Sequence, residues 1–524
     1  MAPGEDDVMV SRTEDPHVTI GQGTLRGVRL DGVRSWKGIP YAAPPVGEWR
    51  LRSPRAPEPF SGVRDCSRFG PIAPQNEHGP LPIDPGLTLD EDCLTVNVLA
   101  PASDARRPRP VMVWIHGGAY YLGSSGQRMF DPTHLVERGD VVVVTFNYRL
   151  GALGFLDFSS FSTEEHPFDT NLGLRDQIAA LTWVRDNIAA FGGDPKDVTL
   201  FGESAGGGAV TTLMTSPPAE GLFHRAIAES SPATSVYGRD RAASIAESFL
   251  ELLDIAPADA GRLRDLPVDV LTKACVELVQ QVPARVPGTL AVAPTVDGDV
   301  VPHYPVAAFR TGLAHRIPLL IGTNKDEASM FRLMKSPLMP ITPDAVHQMF
   351  VAIAADHPDL PADEEQEVAA AYPDYPKKRS AMEISRDAAF RMPTLWIAEA
   401  HSRVAPTWLY RFDYATPFLR AARIGATHGT EVPYVFGNFG VVPHDPTFKL
   451  GGHRTAGHVS ERIQRRWLSF ATEGTPDGTG AEVGWPRYDE ADRTTLLIGK
   501  SDAIVADPDR ELRRAWGEEV IGFT

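Results

Sequence analysis

An α/β fold built on a large, mostly parallel sheet with helices on both faces is predicted by three stretches of this chain. The first is VTLFGESAGGGA, residues 198–209, where a β-branched apolar run meets a serine between glycines and then a small-residue helix start. A short run that is apolar on both faces suits a buried parallel strand. The second is VMVWI, residues 111–115, an unbroken apolar strand that runs directly into the glycine-rich turn HGGAY. The third is NLGLRDQIAALTWVRDNIAAFGG, residues 171–193, in which Leu174, Ile178, Leu181, Val184 and Ile188 recur at helical spacing before a glycine stop. With the apolar strand at 141–147 before it and VTLF after it, that helix completes a βαβ unit, the signature of a parallel sheet covered on both faces.

The remaining elements follow in chain order. Residues 18–33 alternate short β-type runs with Gly and Asp turns and read as a hairpin or meander. WKGIPYAAPPVGEWR, residues 36–50, reads as irregular surface chain, and the Pro-rich stretch 53–90 as a wrap over the surface. LTVNVLA, after Glu91, Asp92 and Cys93, alternates as a strand, and RLGALGF from Arg149 reads as a glycine-rich loop. HRAIAESS (224–231), IPLLIGT (317–323) and TWLYRFDY (407–414) are three further strands. Helical patterns dominate about 240–290 and 340–405. Insertions between sheet strands sit over the active-site edge as a lid or gorge wall, which makes these two the expected seat of substrate choice. No linker divides residues 1–524, so a single domain carrying two helical insertions is expected.

Composition narrows the function. Charged residues at 23% and hydrophobic residues at 42% are those of an ordinary globular protein. A net charge of −17 argues against a nucleic-acid partner, which needs a basic face to displace counterions. The acidic N-terminal stretch MAPGEDDVMVSRTEDPHV lacks a basic region followed by an apolar core, so no signal peptide is expected, and a cytoplasmic location follows. No run of about 18 apolar residues predicts a membrane span. Three scattered cysteines suit neither a disulfide framework nor a zinc site, and no cofactor or metal is called for.

The chemistry gathers on Ser204. Gly202-Glu203-Ser204-Ala205-Gly206 fits the G-x-S-x-G nucleophile elbow, in which a sharp strand-to-helix turn lifts the serine hydroxyl clear of the sheet. The glycines supply clearance for strand and helix, and the free N–H groups at the helix start suit an oxyanion. His116-Gly117-Gly118-Ala119, at the end of its own strand, resembles the loop that supplies the other half of an oxyanion hole. A serine needs a base, and the base an acid to hold its tautomer; in α/β-hydrolases they follow in the order Ser, Asp or Glu, His. Asp326 and Glu327 lie just past the strand IPLLIGT, and His428 lies in a glycine-flanked loop after TWLYRFDY. Of the 15 histidines, His303, His315, His401 and His453 fall in segments that read as surface helix or loop. Periodicity does not separate His428 from His453.

The ordered series GIPYAAPPVG, EDCLTVNV, VWIHGGAYYLG, NYRLGALGF, NLGLRDQIAALTWVRDNIAAFGGDP, VTLFGESAGG, GTNKDEASMF and HGTEVPYVFG resembles the type-B carboxylesterases, the carboxylesterase, lipase and cholinesterase family, particularly its bacterial para-nitrobenzyl esterase-like members. The match runs from about Gly21 to Trp485. The resemblance implies an α/β-hydrolase fold with Ser204 as nucleophile, Glu327 rather than Asp326 as acid, and His428 as base. It also implies an oxyanion hole from the backbone N–H groups of Gly118, Ala119 and Ala205, and a buried polar network that includes Glu203 and Ser230. Secreted relatives bridge the cysteine of EDCL to an earlier one; the matching position here is Ala73, so Cys93 is expected to be a free thiol. Cholinesterases place a tryptophan shortly before EDC to bind a quaternary ammonium. PLPIDPGLTLDEDC has no aromatic residue there, which disfavours choline esters.

The function implied is hydrolysis of small to medium, uncharged carboxylic esters, aryl or short-chain, through an acyl-enzyme. With an ordinary histidine as base, activity is expected to fall below about pH 6. The same triad would serve an amidase, a carbamate hydrolase or a lipase. The rival of another class is a non-catalytic, neuroligin-like binding protein on the same fold, in which triad residues are typically lost.

Overall fold

A computed structural model describes residues 15–77, 79, 83–104, 106–358, 364–442, 445–478, 481 and 483–524. The acidic N-terminal stretch, apart from its last four residues, therefore lies outside the described residues. The chain begins with β1 (His17–Ile20), β2 (Gly23–Arg26), β3 (Val28–Leu30), β4 (Val33–Pro40) and β5 (Val63–Asp65). It continues through β6 (Thr95–Pro101), β7 (Arg109–Ile115), β8 (Val142–Phe146), β9 (Gly193–Glu203) and β10 (Arg225–Glu229). The last strands are β11 (Leu319–Asn324), β12 (Thr407–Phe412), β13 (Thr494–Ile498) and β14 (Asp502–Ala506).

β1, β2 and β5 form a small sheet of their own, and the other eleven join in the order β14-β13-β12-β11-β10-β9-β7-β8-β6-β4-β3. From β8 to β13 every pairing is parallel, and the antiparallel pairs are confined to the two margins. Parallel neighbours need long crossovers, and the helix Leu172–Asn187 carries the chain from β8 to β9. Helix Ala205–Leu213 leads from β9 to β10. The segments before β11 and β12 carry the helical excursions, including Arg239–Leu252 and Val268–Arg285 in the first and Pro343–Asp356, Lys378–Arg386 and Met392–Ser402 in the second.

Strand geometry sends alternate residues to opposite faces, and the core divides accordingly. Val111, Val113, Leu200, Ala228 and Ile321 join the apolar layer under Leu172–Asn187. Met112, Trp114, Phe201, Leu320 and Tyr410 join the layer under the helix His453–Glu473. Both faces are thus covered, as a near-continuous apolar strand pattern requires. None of the described helices is long and apolar enough to cross a membrane.

Four local expectations are corrected. Residues 36–40 are not surface chain but the last five of the eight residues of β4, with Trp36 and Ile39 fully buried. A register shift between Trp36 and Ile39 hides the strand by breaking the two-residue alternation. RLGALGF holds a short helix, Gly151–Phe155, rather than a loop, and Gly154 is obligatory there because a Cβ would lie 2.1 Å from Arg149 O. His401 is not at the surface: it is fully buried, with Nε2 2.8 Å from Ile317 O. β5, inside the Pro-rich stretch 53–90, and β13 and β14, each five residues long, are strands beyond those expected.

Candidate active site

The carboxyl ends of β7, β9, β11 and β12 converge on one edge of the sheet. At the end of β9 the chain turns so sharply that Ser204 takes φ 58° and ψ −124°, strained values for a residue with a side chain. Its N–H donates to Glu229 O at 2.9 Å, and its carbonyl accepts from Gly208 N at 2.8 Å, which pins the turn to β10 and to the next helix. The clearance is absolute. A Cβ on Gly206 would sit 2.1 Å from Ile115 O, and one on Gly202 would sit 2.7 Å from the Gly206 carbonyl. Backbone alone occupies this crossing.

The loop after β7 lies against the elbow, since a Cβ on Gly117 would be 2.6 Å from Glu203 O and 3.1 Å from the Ser204 Cβ. Gly118, Ala119 and Tyr120 all have positive φ, and Leu122 N closes the turn on Gly118 O at 3.0 Å. Gln75 clamps the loop from outside through two 2.8 Å hydrogen bonds to Gly123, one donated and one accepted. Among the described residues the N–H groups of Gly118 and Ala119 reach no acceptor. Ala205 opens its helix, where the N–H has no intrahelical partner. His116 is fully buried and stacked on Tyr148; burial pushes its imidazole down to about 4, so it stays neutral.

Across the edge, the Ser204 hydroxyl donates to His428 Nε2 at 2.7 Å, and His428 Nδ1–H donates to Glu327 Oε2 at 2.7 Å. Glu327 has no exposed surface, and its second oxygen, Oε1, accepts from Ser230 Oγ and from Asn324 N, each at 2.6 Å. A carboxylate can only accept, so in the neutral imidazole, the form a general base needs, the one proton lies at Nδ1 and Nε2 is left free to take another. Asp326, the alternative acid, turns away and accepts from Ala426 N at 3.1 Å. His453, the alternative base, stacks on Phe448 at the start of its helix.

Three more buried glutamates surround this pair. Glu203 Oε1 lies 3.4 Å from His428 Nε2, Glu431 accepts from Asn324 and has an oxygen 3.2 Å from Ser230 Oγ, and Glu229 accepts from the Trp467 indole N–H at 2.6 Å. Burial pushes Glu203 up to about 7, against the pull of His428, and Glu229 up to about 8. Burial lowers His428, but Glu203 and Glu327 outweigh it and hold the imidazole at about 9. Ser230 joins Glu327, Asn324 and Glu431 in one hydrogen-bonded group, whereas Glu203 Oε1 makes no hydrogen bond among the described residues and faces His428 as an ion pair. Sequence reasoning passed over Asn324 and Glu431. The signal for Glu431 was its place three residues after His428, and for Asn324 its place three before Glu327. Cys66, Cys93 and Cys275 are buried free thiols, and burial raises all three.

A model of the carboxylesterase family matches residues 14–515. The chain is 39% identical over 507 residues to a para-nitrobenzyl esterase of Bacillus subtilis (strain 168), covering 95% of this chain and 97% of that protein. It is 35% identical to a fumonisin B1 esterase of Sphingopyxis macrogoltabida, over 96% of this chain and 91% of that one. A solved PNB esterase structure aligns with a TM-score of 0.82 at 38% identity, covering 95% of this chain and 99% of that chain. With the sheet order and the converging loops, these likenesses make the chain a member of the carboxylesterase family, an ester hydrolase of the α/β-hydrolase fold.

Proposed function

We propose that Ser204, His428 and Glu327 carry out this hydrolysis, and that the preferred substrates are small to medium uncharged esters, aryl or short-chain. The observation that carries the catalytic assignment is the continuous path from Ser204 Oγ through the imidazole to Glu327, 2.7 Å at each step. Ser204 Oγ attacks the ester carbonyl carbon while His428 Nε2 takes its proton. The N–H groups of Gly118, Ala119 and Ala205 hold the negative oxygen, and Glu327 balances the imidazolium. The bond to the alcohol breaks, the alcohol leaves with the proton from Nε2, and water repeats the sequence on the acyl-enzyme.

Substrate choice rests on the wall around the imidazole. Phe390 and Phe331 pack on the His428 ring at 4.6 and 5.3 Å, backed by Met339, Ile341 and Met382. An apolar and aromatic wall favours an uncharged acyl or aryl group. Steady-state kinetics on p-nitrophenyl esters of graded chain length and on aryl, charged and carbamate substrates test this reading. A rise in kcat/KM for neutral short or aryl esters over charged ones is expected; preference for a charged ester would overturn the substrate assignment. Ser204→Ala should lose about 10⁴- to 10⁶-fold of that activity.

A further inference from the structure

On the outer side of the acid loop lies a cleft of about 570 Å³ whose lining has a charge opposite to that of the chain. Arg332, Lys378, Arg379, Arg386, Arg420 and Arg423 line it, against two carboxyls, Asp326 and Glu383. Two of the six cations are answered locally, Arg379 by Glu383 and Arg386 by Asp387. Among the described residues, Arg332, Lys378, Arg420 and Arg423 form no salt bridge. They come from three separate parts of the chain: the short helix Ala328–Leu333 after β11, the helix Lys378–Arg386, and the short helix Pro417–Ala421 after β12 with the residues that follow it. Arg332, Lys378, Arg420 and Arg423 are all exposed, so water screens their mutual repulsion, but in a protein of net charge −17 they gather positive potential around one concavity that a small anion would complement.

We propose that this cleft binds a small, multiply charged phosphate anion, a phosphomonoester or a diphosphate. Guanidinium forks match phosphate oxygens two at a time, and a phosphate group brings about two charges to one point, where a single carboxylate brings one. Ser329 adds a hydroxyl to the lining. The size of the cleft and the acidic remainder of the surface select a small anion over a long polyanion, which the rest of the molecule would repel. Ala328 and Met382 line the cleft and also belong to the apolar cluster of Phe331 and Phe390. One layer of side chains therefore separates the anion from His428, and the site is distinct from the one that takes the ester.

Calorimetric titration of the full chain with pyrophosphate at low ionic strength tests the assignment without measuring ester turnover, so it stands or falls apart from the hydrolytic reading. Saturable binding is expected, with a rise in Tm on saturation. Arg420→Ala with Arg423→Ala should weaken it about tenfold or more, the loss of one to two charge-assisted hydrogen bonds, and leave p-nitrophenyl ester hydrolysis unchanged. Arg332→Ala with Lys378→Ala supplies an independent second variant with the same expected loss. No saturable binding to the wild type, or equal affinity in either folded double variant, would overturn the proposal.

Discussion

At the ends of β7 and β9 the atoms that crowd one another belong to the backbone, whereas at the ends of β11 and β12 they belong to side chains. On the first side, Gly117, Gly202 and Gly206 have carbonyl groups where a Cβ would go, so geometry is fixed by what is missing. On the second, Glu327 is held by Ser230 and Asn324, and His428 is surrounded by Glu203 and packed under Phe331 and Phe390. The difference teaches how the two halves respond to change. Steric clearance is all or nothing, but a network of buried carboxyls tunes continuously through charge and hydrogen bonding.

The largest effect should therefore come from filling the first side. Gly206→Val places carbon atoms into Ile115 O and His116 O and should cost about 3 kcal/mol or more, leaving little folded protein by circular dichroism and thermal melting. A folded, fully active Gly206→Val would break the contrast. On the second side, Glu327→Gln should fold and yet lose about a thousand- to ten-thousandfold in kcat, because an amide no longer stabilises the imidazolium or fixes its tautomer.

Smaller effects sharpen the tuning argument. As the proposed base His428 works only when neutral, and the carboxylates beside it outweigh burial and raise it to about 9, so the acidic limb of kcat/KM should lie above the 6.5 of an unperturbed histidine. Glu203→Gln removes the nearer unbonded carboxylate and should move that limb down, with the change read from a pH profile. Smallest of all is a stability effect. Glu229 is raised to about 8 by burial, so the stability tied to its protonated form is complete below about pH 4.5 and lost as pH rises through about 8. Glu229→Gln keeps an oxygen to accept from the Trp467 indole and does not titrate. Its Tm relative to wild type should rise across that window, and a constant difference would contradict the assignment.

The same contrast decides what could be read from the chain itself. The elbow was legible because clearance is written as glycine, a local and visible signal, and β7, β9 and the helix Leu172–Asn187 each carry their own period. The acid–base side was legible only as single candidates. Glu229 meets Trp467 across 238 positions and Ser230 meets Glu431 across 201, contacts that no local pattern encodes. The irregularity in β4 and the shortness of β13 and β14 concealed strands for the same reason: their identity depends on partners far along the chain.

The most direct test of the central claim, that Ser204 is a nucleophile activated through His428, is mass spectrometry of the protein after reaction with a fluorophosphonate, in which a serine oxygen displaces fluoride from phosphorus. The account predicts one adduct, on the peptide containing Ser204, formed with loss of esterase activity, absent in Ser204→Ala and greatly slowed in His428→Gln. An active esterase that carries no label, or one inactivated by a label at another residue, would contradict it.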